Sequence, residues 1–247
     1  MNHRVILYTH NRALYFQQTL DGLLYSLDGY NIPITIVLNA PDAATLSVAQ
    51  RVQDRCDVLV TEENCAFAAQ TIGVRWSNPE VITIVQDDHI LPPLTKHYYP
   101  NWPDLFEKKL LFGNDVVYFG CCLDNVPIPN PFAINTPEGE DESFVYFERP
   151  GSNSPVFLFD PCTMKTSFWW QCYNSGPKCA VDSAVIAKSK RMARAKLVKT
   201  YHIGWNGSMN NYNDRNDWAK AFHLPMTHTK VRNLKTGEIR EISLDKD

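Results

Sequence analysis

The chain has 247 residues, 44% of them hydrophobic and 21% charged, with a net charge of −3. This is the make-up of a soluble domain large enough to bury a sizeable core, and the charge argues against a strongly basic nucleic-acid module. The seven cysteines include no CxxC pair, no apolar run reaches membrane-spanning length, and no signal peptide precedes the first strand, so a cytoplasmic protein with reduced thiols and no transmembrane segment is expected.

Arg4 to Thr9 reads as the first strand and ends in the polar turn Thr9-His10-Asn11-Arg12. A helix from about Ala13 to Leu27 follows, with Leu20, Leu23, Leu24 and Leu27 on one stripe and Gly29 as its stop. Ile32 to Leu38 is the second strand, and it leads through Asn39 to Asp42, a candidate cap for the next helix. That helix is expected to carry Leu46, Ala49, Val52 and Cys56 on one face. Asp57 to Val60 is a short third strand, followed by a helix with Ala68, Ala69, Ile72 and Trp76 on one face.

Val81 to Val85 is the fourth strand. It lacks polar alternation, so both of its faces are expected to be buried. Gln86, Asp87, Asp88 and His89 then fall at its carboxyl end. In open α/β sheets ligands bind at that edge. Adjacent carboxylates repel unless a cation or a proton lies between them, so the stretch suits a divalent-metal site; an acidic strand-to-loop turn is the alternative. The β-α-β-α-β-α-β succession predicts a parallel sheet with helices on both faces. Neither GxGxxG nor a P-loop follows the first strand.

Past Pro92 the pattern breaks up. Tyr98, Tyr99, Trp102 and Phe106 form an aromatic cluster, either core or pocket wall, and Val116 to Phe119 reads as a strand. Residues 124–155 have no helical period and read as a long lid or binding loop. Val156 to Phe159 resumes strand character, and Phe168-Trp169-Trp170 belongs to a short helix. Another helix starts near Ala180 with Asp182 in its first turn, and is expected to run on through Lys188, Lys190, Arg191, Arg194 and Lys196 as a solvated basic face or a phosphate-binding surface. Val198 to His202 is a last short strand, and Lys230 to Ile242 is a hairpin turning at Lys235-Thr236-Gly237.

Four segments together resemble the nucleotide-sugar glycosyltransferases of the GT-A type, and among them the large inverting family that builds polysaccharides and surface glycans. Val5 to Arg12 is similar to that family's opening strand and Thr-Tyr-Asn-Arg turn. Ile34 to Asn39 is similar to its second strand, with Leu38 where the family has Asp. Glu63 to Gly73 is similar to its Glu-Asn-x-Gly-Phe-Ala stretch, with Ala66 in place of the Gly. The loop at 86–89 resembles its Asp-x-Asp motif in one of two registers, Gln86-Asp87-Asp88 or Asp87-Asp88-His89.

The resemblance implies an α/β GT-A (Rossmann-like) fold, a mostly parallel sheet with an elaborated acceptor half. It divides the chain into a nucleotide-sugar-binding half at 1–95, an acceptor-binding and catalytic half at 96–226, and a C-terminal hairpin appendage at 227–247. It implies Asp88 and His202 as ligands of Mn²⁺ or Mg²⁺, with His89 and His10 as alternative ligands. Thr9, Asn11, Arg12, Asn39, Asn64, Gln86 and Asp87 are implied to hold the nucleoside-diphosphate sugar. Asp182 is the candidate base that takes the acceptor's proton, with a dipole-favoured helix acid as the bland alternative. The acceptor is a glycan, or a modified base in DNA as for bacteriophage glycosyltransferases, a reading motivated by the basic segment after Lys188. Departures at Leu38, Ala66 and Gln86 keep open a non-catalytic sugar-nucleotide binder. A nucleotidyltransferase would carry a Gly-rich loop where Thr9 to Arg12 stands.

Overall fold

The structure, a computed structural model, describes residues 1–65, 68–122, 138–148, 161–175, 181–203 and 227–245. The four apolar runs of the first half form β1 (His3–Thr9), β2 (Ile34–Asn39), β3 (Asp57–Thr61) and β4 (Val81–Gln86). They pair in parallel in the order β3-β2-β1-β4. Period-two geometry splits each run between two cores. Val5, Leu7, Ile36, Leu38, Val81 and Val85 face one side, and Ile6, Val37, Ile82 and Ile84 face the other.

The helices between these strands follow from crossover handedness. α1 (Ala13–Ser26) and α2 (Ala43–Gln50) connect strands that step outward from β1, and both pack in the first core through Phe16, Leu20, Leu23, Val48 and Ala49. α3 (Ala69–Ser77) steps back across β1 to β4, and a right-handed connection in that direction lies on the opposite face. Its Ala69 and Ile72 pack in the second core. Asp42 caps α2 as expected, its carboxylate accepting from Thr45 N at 2.7 Å. α2 stops at Gln50, so Val52 and Cys56, expected on its stripe, lie in the turns leading to β3.

The second half begins with β5 (His89–Ile90), α4 (Leu94–Tyr98), α5 (Trp102–Leu111), β6 (Val116–Tyr118) and β7 (Cys121–Cys122). Then come β8 (Gly139–Glu140), β9 (Phe144–Glu148), β10 (Cys162–Lys165), α6 (Thr166–Ser175), α7 (Val181–Lys188), β11 (Arg191–Ala195), β12 (Thr200–His202), β13 (His228–Asn233) and β14 (Ile239–Ser243). The sheet continues past β4 as β10-β6-β11-β9-β8, with β10 antiparallel to both of its neighbours. At the other edge β13 pairs antiparallel with β3, so the C-terminal hairpin prolongs the same sheet.

Of the aromatic cluster, Tyr99, Trp102 and Phe106 are core, whereas Tyr98 is exposed. With Phe119 and Phe144 they make edge-to-face and tilted contacts at centroid distances of 4.7 to 6.1 Å, each contributing about 0.5–1.5 kcal/mol beyond burial. Two sequence expectations are corrected here. Residues 138–148, inside the stretch read as a loop, form the β8–β9 hairpin on the sheet edge. The basic helix ends at Lys188, and Arg191, Arg194 and their neighbours form β11, pairing with β6 and β9. The guanidinium groups of Arg191 and Arg194 lie over the rings of Tyr146 and Phe147, and Lys196 pairs with Glu140. The charges read as a solvated basic helix face or a phosphate-binding surface therefore serve partly to pack β9. The strand expected at 156–159 lies outside the described residues.

Candidate metal and nucleotide site

The order β3-β2-β1-β4 reverses direction between β1 and β4, and such a switch point opens a crevice at the carboxyl ends of the strands. Thr9 ends β1 and Asp87 follows β4, and the Thr9 hydroxyl donates to Asp87 Oδ2 at 2.6 Å across that point. Arg12, one turn further on, reaches the same place. Its Nη1 donates to Asp87 Oδ1 and its Nη2 to Asp88 Oδ2, both at 2.9 Å, while its guanidinium lies 5.0 Å from the centre of the Tyr15 ring. One cation thus bridges two buried acids. Thr19, on α1, donates to the backbone carbonyl of Asp87 at 2.9 Å and fixes the loop from behind. Nothing in the sequence pattern singles out Thr19, because its partner is distant in the chain.

His202 arrives by strand pairing. β12 lies antiparallel to β5, with His202 directly opposite His89, and Ile203 N donates to Asp88 O at 2.9 Å. The two imidazoles stack with centroids 4.5 Å apart and planes 16° from parallel. His202 Nε2 is 3.2 Å from Asp88 Oδ2, and His89 Nδ1 is 3.1 Å from Asp88 Oδ1. Asp88, His89 and His202 each offer one ligand atom, all within 4.8 Å of one another. One carboxylate and two imidazoles are a chemically suitable donor set for a divalent ion.

Burial pushes the Asp87 carboxyl up, to about 7, against the pull of Arg12 and with the neighbouring Asp88 charge adding to the rise. Burial opposes ionisation of Asp88 as well, but hydrogen bonds from His202 and His89 and the Arg12 charge outweigh it and hold Asp88 well below the usual carboxylate range. His89 is lowered to about 4, chiefly by burial, which leaves a neutral imidazole.

A second network adjoins the first at the ends of β2 and β3. Asn39 Oδ1 accepts from Cys65 N, and its amide donates to Asn64 Oδ1, both at 2.7 Å. His10 Nδ1 meets the Asn39 carbonyl at 2.5 Å, so this nitrogen carries the proton, and Asn64 Nδ2 then donates to His10 Nε2 at 3.2 Å. His10 is held there, in this network rather than with Asp88. Asn11 takes a left-handed conformation (φ 50°), and its Oδ1 accepts from Asp42 N at 2.5 Å, tying the β1 turn to the start of α2. Gln86 is the last residue of β4, paired with Tyr8. Position 182 falls in the first turn of α7, and its side chain lies outside the described residues.

The sheet topology and this crevice define a class, the GT-A glycosyltransferase fold. More particularly, residues 4–98 match the model of glycosyl transferase family 2. Among solved structures, S. aureus TarS 1–349 is similar at 16% identity and TM-score 0.56, over 83% of this chain and 61% of that one. Its complex with UDP-GlcNAc gives 14% identity and TM-score 0.55 over the same shares. The mannosyltransferase PcManGT from Pyrobaculum calidifontis, in complex with GDP-Man and Mn²⁺, gives 14% identity and TM-score 0.53 over 82% of this chain and 56% of that one. The chain thus spans roughly 60% of TarS 1–349. Curated proteins include no significant match. No helix among the described residues is long and apolar enough to cross a membrane.

Proposed function

We propose that this protein is a metal-dependent glycosyltransferase that moves a sugar from a nucleoside-diphosphate sugar to an acceptor hydroxyl, with inversion at the anomeric carbon. The observation that carries the reading is the convergence of Asp88 and His202, 114 residues apart in sequence, at the carboxyl edge of a family 2 segment. Bound by Asp88 and His202, Mn²⁺ or Mg²⁺ would supply Lewis-acid neutralisation of the leaving diphosphate. Asp87, held by Thr9 and Arg12, would hold the ribose or the ion's water shell. Asn39 and Asn64 shape the wall beside the base, with Asn11 fixing the turn and Gln86 closing the strand end. Asp182, in the first turn of α7, is the base that takes the acceptor proton.

The TarS complexes with UDP and UDP-GlcNAc and the PcManGT complex with GDP-Man motivate the donors to try first. The acceptor we favour is a glycan, since the basic segment that motivated a modified DNA base forms β11 and stacks Arg191 and Arg194 on Tyr146 and Phe147. The test is nucleotide release from a panel of UDP- and GDP-sugars with Mn²⁺. Turnover that chelator and Asp88→Ala both abolish supports the enzyme, whereas nucleotide binding without turnover, with any acceptor, favours a sugar-nucleotide binder.

A further inference from the structure

We infer that His89 is a third protein ligand of the bound ion, beside Asp88 and His202, and that the centre therefore selects a transition-metal ion over Mg²⁺. The inference rests on the metal-dependent reading above and specifies the donor set and the class of ion. His89 is fully buried. Burying an imidazole wastes its hydrogen-bonding capacity unless both nitrogens find a partner. Its Nδ1 lies against Asp88 Oδ1, while its Nε2 is buried with no hydrogen-bond partner among the described residues. The ring is not placed by chance packing alone. The antiparallel register of β5 and β12 sets His89 directly opposite His202, the pair that cross-strand geometry brings closest. The result is the 4.5 Å ring stack, with a ligand atom from each of the three residues inside 4.8 Å.

A set of one carboxylate and two neutral imidazoles is nitrogen-rich. Mg²⁺ prefers oxygen ligands and its own waters, whereas imidazole suits later first-row ions, with Mn²⁺ the weakest of that series. The expected order is Co²⁺ tighter than Mn²⁺, and Mn²⁺ tighter than Mg²⁺. A centre using Asp88 and His202 alone would discriminate less.

The experiment is pulsed electron paramagnetic resonance on the full chain loaded with Mn²⁺, with and without UDP, together with competition by Co²⁺ and Mg²⁺. The wild type is expected to show two histidine nitrogens on the ion, and His89→Asn one. The variant is also expected to lose at least about tenfold in Mn²⁺ affinity, the lower end of what even outer-shell partners contribute, and to narrow its preference over Mg²⁺. A single nitrogen in the wild type overturns the inference, and this readout stands if the variant fails to fold. A folded His89→Asn with wild-type affinity overturns it too. No bound Mn²⁺ in either condition instead removes the metal-dependent reading on which the inference rests.

Discussion

Asp87 and Asp88 are adjacent, almost equally buried and electrostatically opposite, one carboxyl pushed up to about 7 and the other held low. What separates them is their partners. Asp88 collects two imidazoles and an arm of Arg12, whereas Asp87 has Thr9, the His10 backbone and the other arm, and no imidazole among the described residues. Arg12 is therefore the shared counter-charge of the pair. Arg12→Ala is expected to cost roughly 3 kcal/mol or more of stability, the size seen when one partner of a buried ion pair is removed. A divalent ion bound at Asp88 would replace the missing charge, so Mn²⁺ should raise the Tm of the variant more than that of the wild type, as thermal unfolding with and without the ion will show. The acid pair and His202 were legible in the sequence, since carboxylates at a strand end and a late His before Ile203 form a familiar pattern. Arg12's grip on both acids was not, because residues 75 and 76 apart meet only once β1 and β4 are paired.

At the scale of elements, His3 stitches three strands and a helix. Its Nδ1 lies 2.9 Å from Glu107 on α5, and its Nε2 lies 2.8 Å from Thr83 on β4, which in turn meets Thr163 on β10. Burial lowers His3 from 6.5 to about 4. Between those values the unfolded chain binds a proton that the folded chain refuses, so stability is full above pH 6.5 and falls as pH drops toward 4. The loss is about 3 kcal/mol, and His3→Gln should remove that part of the pH dependence in denaturant titrations. Close approach is a second element-scale constraint. A Cβ on Gly73 of α3 would come 2.6 Å from Ile6 Cγ2, and one on Gly22 of α1 would come 2.7 Å from the backbone oxygen of Leu91. Both alanine substitutions should cost about 1–3 kcal/mol. Gly73→Ala should leave Mn²⁺ affinity intact, while Gly22→Ala, which pushes the chain just beyond Asp88 and His89, should lower it; calorimetric titration separates the two. The first four strands and three helices were readable because buried parallel strands and amphipathic helices write strong, local patterns. The Arg191–Ala195 segment was misread because Arg191 and Arg194 stand three residues apart, a helical spacing, and the aromatic rings of Tyr146 and Phe147 that receive them come from a strand distant in sequence.

Across the whole molecule, two halves of different construction meet at one edge. The first is a sequential parallel unit. The second inserts β10 antiparallel between β4 and β6 and then builds outward, an order that no local pattern encodes. Their junction is the small β5-β12-β7 sheet, and it is this pairing that carries His202 from the second half to the acid loop of the first. The resemblance to GT-A enzymes anticipated that meeting; the strand pairing that accomplishes it was beyond the sequence. The most direct test is nucleotide release from UDP- and GDP-sugars by the wild type and Asp88→Ala, with Mn²⁺ and with chelator. The account predicts release that requires the ion and disappears in the variant. Release that persists in Asp88→Ala, or that is indifferent to chelator, would contradict it.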